Sequence, residues 1–123
     1  MNRDDAERIY TLMVDSYHAI AEAFGALPDP IEVSALETDA RLHTTLTALA
    51  EARSKLSAAP GSDQAARAAL IKAALSWLGG INLMKIRRAP GHHNAAYLPE
   101  VAIFQLMQAE DHARAARELL TRR

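Results

Sequence analysis

The chain contains no cysteine among its 123 residues. It can therefore form neither disulfides nor thiolate-ligated metal sites, and cysteine usage does not mark a redox compartment. Aromatic residues make up only 5% of the sequence, and no uninterrupted apolar run approaches the ~20 residues that a membrane-spanning helix needs. We therefore expect no membrane-spanning segment and no contact with a membrane.

Neither sign of charge dominates, because 14 basic and 15 acidic residues leave a formal net charge of −1. This balance argues against broad electrostatic binding to nucleic acid or to a membrane surface. Nucleic-acid binding through a local basic patch stays open but is not favoured. The first ten residues, MNRDDAERIY, include no apolar stretch of the kind found in secretory signals, so we expect a cytoplasmic protein.

Apolar residues make up half of the chain, and their spacing is helical. The length suits a single domain over residues 1–123. The segments 4–26, 63–88 and 99–123 carry apolar residues at three- and four-residue spacing, and no strand-like alternation competes with this pattern. Another helix is expected after Ser34, which forms a capping box with Glu37. The sequence therefore predicts an all-α protein, a four-helix up-down-up-down bundle.

The third helix is apolar almost all round, so we expect it to be the most buried of the four. Gly79 and Gly80 lie inside it and predict a kink or a break. An apolar helix is hard to cover with three partners in a chain of this size, so we expect a symmetric homodimer. The residues expected at its interface surround the two glycines: Trp77, Leu78, Ile81 and Met84.

The second helix places charged residues on its apolar seam. Asp39 and Arg53 occupy positions where leucine would pack, and an unpaired buried charge is costly, so each needs a partner or a wet edge. Asp39 and His43 are four residues apart and can meet on one helical face. They form either a structural hydrogen bond or the lining of a pocket.

The stretch RRAPGHHNAAYL, residues 87–98, is the strongest candidate for a binding surface. In an up-down-up-down bundle it would lie at the same end as the connection 27–33. Arginine offers fork-shaped donors, and histidine gains charge below neutral pH, so the stretch suits an anionic or protein partner. An exposed connector without function is the alternative. The candidate ligand-binding residues are Arg87, Arg88, His92, His93 and Tyr97.

Arg87 and His92 have the spacing Arg-x4-His, as have Arg88 and His93. This motif resembles the Arg-x(4–6)-His signature of HEPN-type ribonucleases, which are small helical bundles that often pair as dimers. The resemblance covers only the motif and the general helical pattern. It implies a metal-independent ribonuclease in which Arg87 and His92 are catalytic.

Asp15, His18 and Glu22 share a face of the first helix and could offer ligands to a divalent ion, but a solvated polar stripe explains them equally. We expect no metal site and no cofactor. The favoured interpretation is a non-enzymatic interaction module that binds a protein or anionic partner through residues 87–98 together with 27–33. Whether the chain is an enzyme stays open, with the ribonuclease as the alternative.

Overall fold

A computed structural model describes residues 3–33, 42–58, 64–88 and 97–121. All regular structure in these ranges is helical, which confirms the predicted all-α class. The predicted bounds of the first and third helices are correct to within one residue. The capping box of Ser34 and Glu37 lies outside the described residues. The four helices are α1 (Arg3–Gly25), α2 (Leu42–Ala58), α3 (Gln64–Arg88) and α4 (Tyr97–Thr121).

The core forms around α3, which contacts the other three helices, while α4 also packs against α1. On α4 the buried face follows three- and four-residue spacing, as its sequence predicts. Four of its six seam positions are alanines, and their small side chains allow neighbouring helices to approach closely. The buried seam of α4 consists of Ala102, Leu106, Ala109, Ala113, Ala116 and Leu120.

Trp77 fixes α3 against α1. Its indole N–H donates a hydrogen bond to the main-chain oxygen of Met13 at 3.1 Å, and its ring lies 5.2 Å from that of Tyr17 at an angle of 53°. Both aromatic side chains are fully buried. Although α3 is apolar almost all round, its residue Leu75 is 48% exposed. The described neighbours of α3 therefore leave part of its outer face in solvent.

Gly79 and Gly80 do not break α3, which is a continuous helix through both. Gly80 is buried where α3 meets α4. A β-carbon added there would lie 3.2 Å from Cγ of Leu106 and 3.3 Å from Cβ of Gln105, both of which are tight contacts. A β-carbon at Gly79 would meet only Oε1 of Gln105, at 3.9 Å. Gly80 thus permits a close approach of α3 and α4.

The relative direction of α1 and α4 follows from two contacts between them. Near the start of α1, Nη2 of Arg8 lies 3.9 Å from Sδ of Met107, and near its end Glu22 pairs with Arg117. Residue numbers rise together along both helices, so α1 and α4 run in the same direction. This direction differs from that in an up-down-up-down bundle, where the first and fourth helices are antiparallel.

The helices α3 and α4 form an antiparallel pair. Gly80 contacts Gln105, and these residues lie equally far from the connection, eight positions before Arg88 and eight after Tyr97. The expected topology assumed a hairpin connection between each helix and the next.

Candidate functional site

Tyr97 is the one predicted ligand-binding residue whose side chain the structure describes. It is the first residue of α4 and is 65% exposed. Arg87 and Arg88 are the last two residues of α3, but their side chains lie outside the described part of the chain. So do His92 and His93, which means that the Arg-x4-His pairs stay a prediction.

The predicted pocket of Asp39 and His43 also falls where the structure is not described. Asp39 lies outside the described residues, and His43 is described only as a backbone position in α2. The seam charge Arg53, in contrast, is partly buried and has an interaction partner, as the cost of an unpaired charge requires.

Residues 27–33 and Tyr97 lie at opposite ends of the bundle. Because α1 and α4 are parallel, the segment 27–33 follows α1 at the end where α4 finishes. Tyr97 begins α4 at the other end, which is ~36 Å away at a rise of 1.5 Å per residue. The expected pairing of these two connections at one end is therefore wrong, since it assumed that α1 and α4 were antiparallel.

An exposed apolar stripe begins at Tyr97 and follows the outer face of α4. We call Tyr97, Val101 and Phe104 the outer stripe; their exposed fractions are 65%, 36% and 58%. Their spacing of four and three residues places them on one helical face. That face points away from the core, since the buried seam of α4 lies on the opposite side of the same helix.

The outer stripe lies on the first turns of α4, whose inner side packs against the core. Leu98 and Pro99 are buried between the stripe and the core, as are Ala102 and Ile103. Proline is tolerated in a first turn because its missing N–H would have no intrahelical acceptor there. The stripe is thus fixed in position by packing on the other side of the helix.

A groove between α1 and α4 forms a second surface feature, with a volume of about 320 Å³. The two small residues Ala19 and Ala113 face each other between the helices and leave the space open. Charged residues form its sides. The lining consists of Asp15, His18, Ala19, Glu22, Glu110, Ala113, Arg114 and Arg117.

Ion pairing within the groove occupies most of its charged groups. Glu22 pairs with Arg117 across the helices, and Glu110 pairs with Arg114 along α4 at 2.5 Å. Among the residues that the structure describes, no group of three or more histidine, aspartate or glutamate side chains could hold a metal ion. The polar stripe of α1 is exposed along its length, as a solvated helix face would be: Glu7, Thr11, Asp15, His18 and Glu22.

The dimer surface expected around Gly79 and Gly80 is used within the fold itself. Trp77 and Ile81 are buried in the core of the chain, and Leu78 and Met84 pack against that core. These residues therefore do not form a free apolar face. In the described parts of the chain, no helix is both long and apolar enough to cross a bilayer.

Comparison with known proteins gives no match, whether with protein-family models, curated proteins or solved structures. The residues of the site must therefore be judged on their own geometry. Sequence reasoning missed Val101 and Phe104, although the four- and three-residue spacing from Tyr97 was visible. A search of α4 for a second apolar stripe, opposite the buried one, would have identified both residues.

Proposed function

We propose that this chain is a cytoplasmic, non-enzymatic interaction module that binds a protein partner through the outer stripe. The observation that supports this proposal is the exposure of three apolar side chains in a row on α4. The outer face of a surface helix is normally polar. An aromatic–aliphatic–aromatic stripe on that face therefore indicates a surface that a partner covers.

The chemistry of the outer stripe suits a protein partner with an apolar surface. Covering a large apolar side chain such as Phe104 releases roughly 1.5–3 kcal/mol relative to leaving it in water. Tyrosine is enriched among residues that dominate binding energy, because it offers an apolar ring and a hydroxyl that can still hydrogen-bond. Residues at i, i+4 and i+7 are the usual anchors when a helix docks into an apolar groove or against a second helix.

The outer stripe makes no contribution to the core of its own chain. The apolar seam that packs α4 against α1 and α3 lies on the opposite face. A substitution in the stripe can therefore test binding without emptying the core. Leu75 provides a matched control, since it is a single exposed leucine on the outer side of α3.

The proposal also includes the anionic partner and the homodimer that the sequence predicts. Tyr97 is only nine residues from Arg88, so a partner seated on the outer stripe is close to the connection that carries His92 and His93. An acidic partner would complement those cations. A second copy of the chain is the simplest apolar partner, because homodimers with two-fold symmetry are the commonest oligomers.

A displayed library of amphipathic helical peptides, selected for binding to the wild-type chain, tests the proposal. We expect Phe104→Asp to weaken the selected peptides by more than tenfold, a loss of at least about 1.4 kcal/mol. Leu75→Asp should leave their affinity unchanged. Circular dichroism of each variant would establish that the helices are intact. If the selected peptides bind Phe104→Asp as well as the wild type, the outer stripe is not the binding surface.

A further inference from the structure

We propose that the outer stripe pairs with a second copy of this chain. The two α4 helices lie antiparallel across a two-fold axis at Phe104, and each Tyr97 donates its hydroxyl to Asp111 of the second copy. This inference rests on the proposed function, because it names the protein that the outer stripe binds.

The register follows from the positions of polar and apolar residues around Phe104. Tyr97 lies seven residues before Phe104, and Asp111 lies seven residues after it. Seven residues are two helical turns, so all three lie on nearly the same face of α4. In an antiparallel pair whose axis passes at residue 104, residue 97 of one copy is opposite residue 111 of the other. The contact then occurs twice, as two-fold symmetry requires.

Each contact in this arrangement is chemically matched. Phe104 meets Phe104 of the second copy at the axis, where two rings can stack with an offset. The exposed phenol of Tyr97 is a hydrogen-bond donor, and the exposed carboxylate of Asp111 is an ionised acceptor, which gives a charge-assisted bond. Val101 comes level with Met107, whose exposed side chain extends the apolar surface.

A parallel arrangement of the same two helices fits less well. It would place Asp111 at the level of Asp111 and Tyr97 at the level of Tyr97. Like charges opposite each other oppose association, and the tyrosine hydroxyls would lose the carboxylate acceptor. The antiparallel arrangement separates the two Asp111 carboxylates and gives each tyrosine hydroxyl a carboxylate acceptor.

The size of the contact predicts a weak dimer. One pair of helices that meet over about four turns buries less than the ~1,200 Å² of a standard interface. We therefore expect the dimer to form in the micromolar range and its population to depend on concentration. Sedimentation equilibrium should give a mass rising from 13.4 kDa towards twice that value as the protein is concentrated.

Substitutions at the polar contact test the register. Tyr97→Phe and Asp111→Ala should each weaken the dimer by roughly tenfold or more, because each substitution removes both symmetry-related hydrogen bonds to a charged group. The double variant should be little weaker than either single variant, since both remove the same bonds. Leu75→Asp should leave the dissociation constant unchanged, and Phe104→Asp should make the chain monomeric.

Single cysteines give a direct test of direction, because the natural chain has none. Phe104→Cys should form an intermolecular disulfide on mild oxidation, since a disulfide needs α-carbons within about 7 Å of each other. Ala115→Cys, also exposed, should not, because the antiparallel register separates the two residues 115 by roughly 33 Å along the helices. Efficient cross-linking at 115 would overturn the antiparallel register.

Failure of this inference can be told apart from failure of the proposed function. A wild-type chain that stays monomeric at about 200 µM, well above any micromolar dissociation constant, would overturn the second copy as partner. Peptides that still lose affinity to Phe104→Asp would then preserve the outer stripe as a binding surface. A dimer that survives Phe104→Asp would overturn the proposed pairing, whereas peptides that bind this variant as well as the wild type would overturn the proposed function.

Discussion

Trp77 donates its indole hydrogen to the main-chain oxygen of Met13 and so joins two helices whose residues are 64 positions apart in sequence. The donor is fully buried, as is the ring of Tyr17 against which it packs. Leaving a buried N–H donor without an acceptor costs more free energy than the hydrogen bond contributes when it forms. The bond therefore ties the orientation of α1 to that of α3.

Replacing this tryptophan tests how much the bond and the packing contribute together. We expect Trp77→Phe to lower the free energy of unfolding by about 2–4 kcal/mol, since it leaves a cavity and removes the donor. Urea unfolding followed by circular dichroism measures the change. Leu75→Ala, on the exposed side of the same helix, should cost no more than about 0.5–1 kcal/mol. Equal losses in the two variants would contradict the central position of Trp77.

The two adjacent glycines of α3 form a matched pair for testing the close approach of α3 and α4. Gly79→Ala should raise the free energy of unfolding by about 0.5–1 kcal/mol, because alanine favours the helix and its β-carbon has room. Gly80→Ala should make the protein less stable than Gly79→Ala by about 1–3 kcal/mol, since Leu106 must move. Thermal unfolding of both variants measures the difference. The close approach is refuted if the two alanines stabilise the chain equally.

The buried hydroxyl of Tyr17 leads us to expect that the protein loses stability at high pH. Burial raises the pKa of its hydroxyl above 10.0 because the phenolate would lose its hydration. The native state therefore keeps the proton after the unfolded state has released it. The contribution of this group to stability is complete below about pH 10, the unfolded value, and is lost as pH rises through the folded pKa.

Tyr17→Phe should therefore reduce the fall in stability above about pH 10, where tyrosine in the unfolded chain ionises. Urea unfolding of the wild type and the variant at a series of alkaline pH values would show this. Tyr10→Phe is the control, because Tyr10 lies on the surface of α1. We expect its pH dependence to match that of the wild type. If the stability of Tyr17→Phe falls with pH as steeply as that of the wild type, other groups cause the loss of stability at alkaline pH.

The anionic partner predicted for residues 87–98 calls for a separate measurement. An acidic or phosphorylated ligand should bind more tightly near pH 6 than near pH 8, since histidine gains charge over about this range. Added salt should weaken the binding. Titration of candidate anions, RNA included, against wild type, Arg88→Ala and His92→Ala would show whether these side chains contribute. Equal affinity of all three proteins would identify the stretch as an ordinary connector.

Local patterns in the sequence predicted the helices and the seam of α4, because three- and four-residue spacing is a property of neighbouring residues. The direction of α1 relative to α4 was not predictable in this way. It depends on contacts between residues far apart in sequence, such as the pair of Glu22 with Arg117, which local spacing does not reveal. The expectation that 27–33 and 87–98 share one end assumed a hairpin connection between each helix and the next.

The glycine pair shows a second limit of local reasoning. Gly79 and Gly80 favour a break when judged by helix propensity alone, yet α3 continues through both, and Gly80 lies where α3 packs closely against Leu106 of α4. The outer stripe was overlooked for the opposite reason. The pattern of α4 was matched to a single buried face, and the second apolar face on the same helix was not sought.

The parallel course of α1 and α4 has a mechanical consequence. Arg3 begins α1 at one end of the bundle, and Thr121 finishes α4 at the other. A force applied between these two points would slide α1 along α4 and so load their whole contact, including the Glu22–Arg117 pair, at the same moment. Antiparallel first and last helices would instead be peeled apart one turn at a time. The fold is thus arranged to resist stretching along its length.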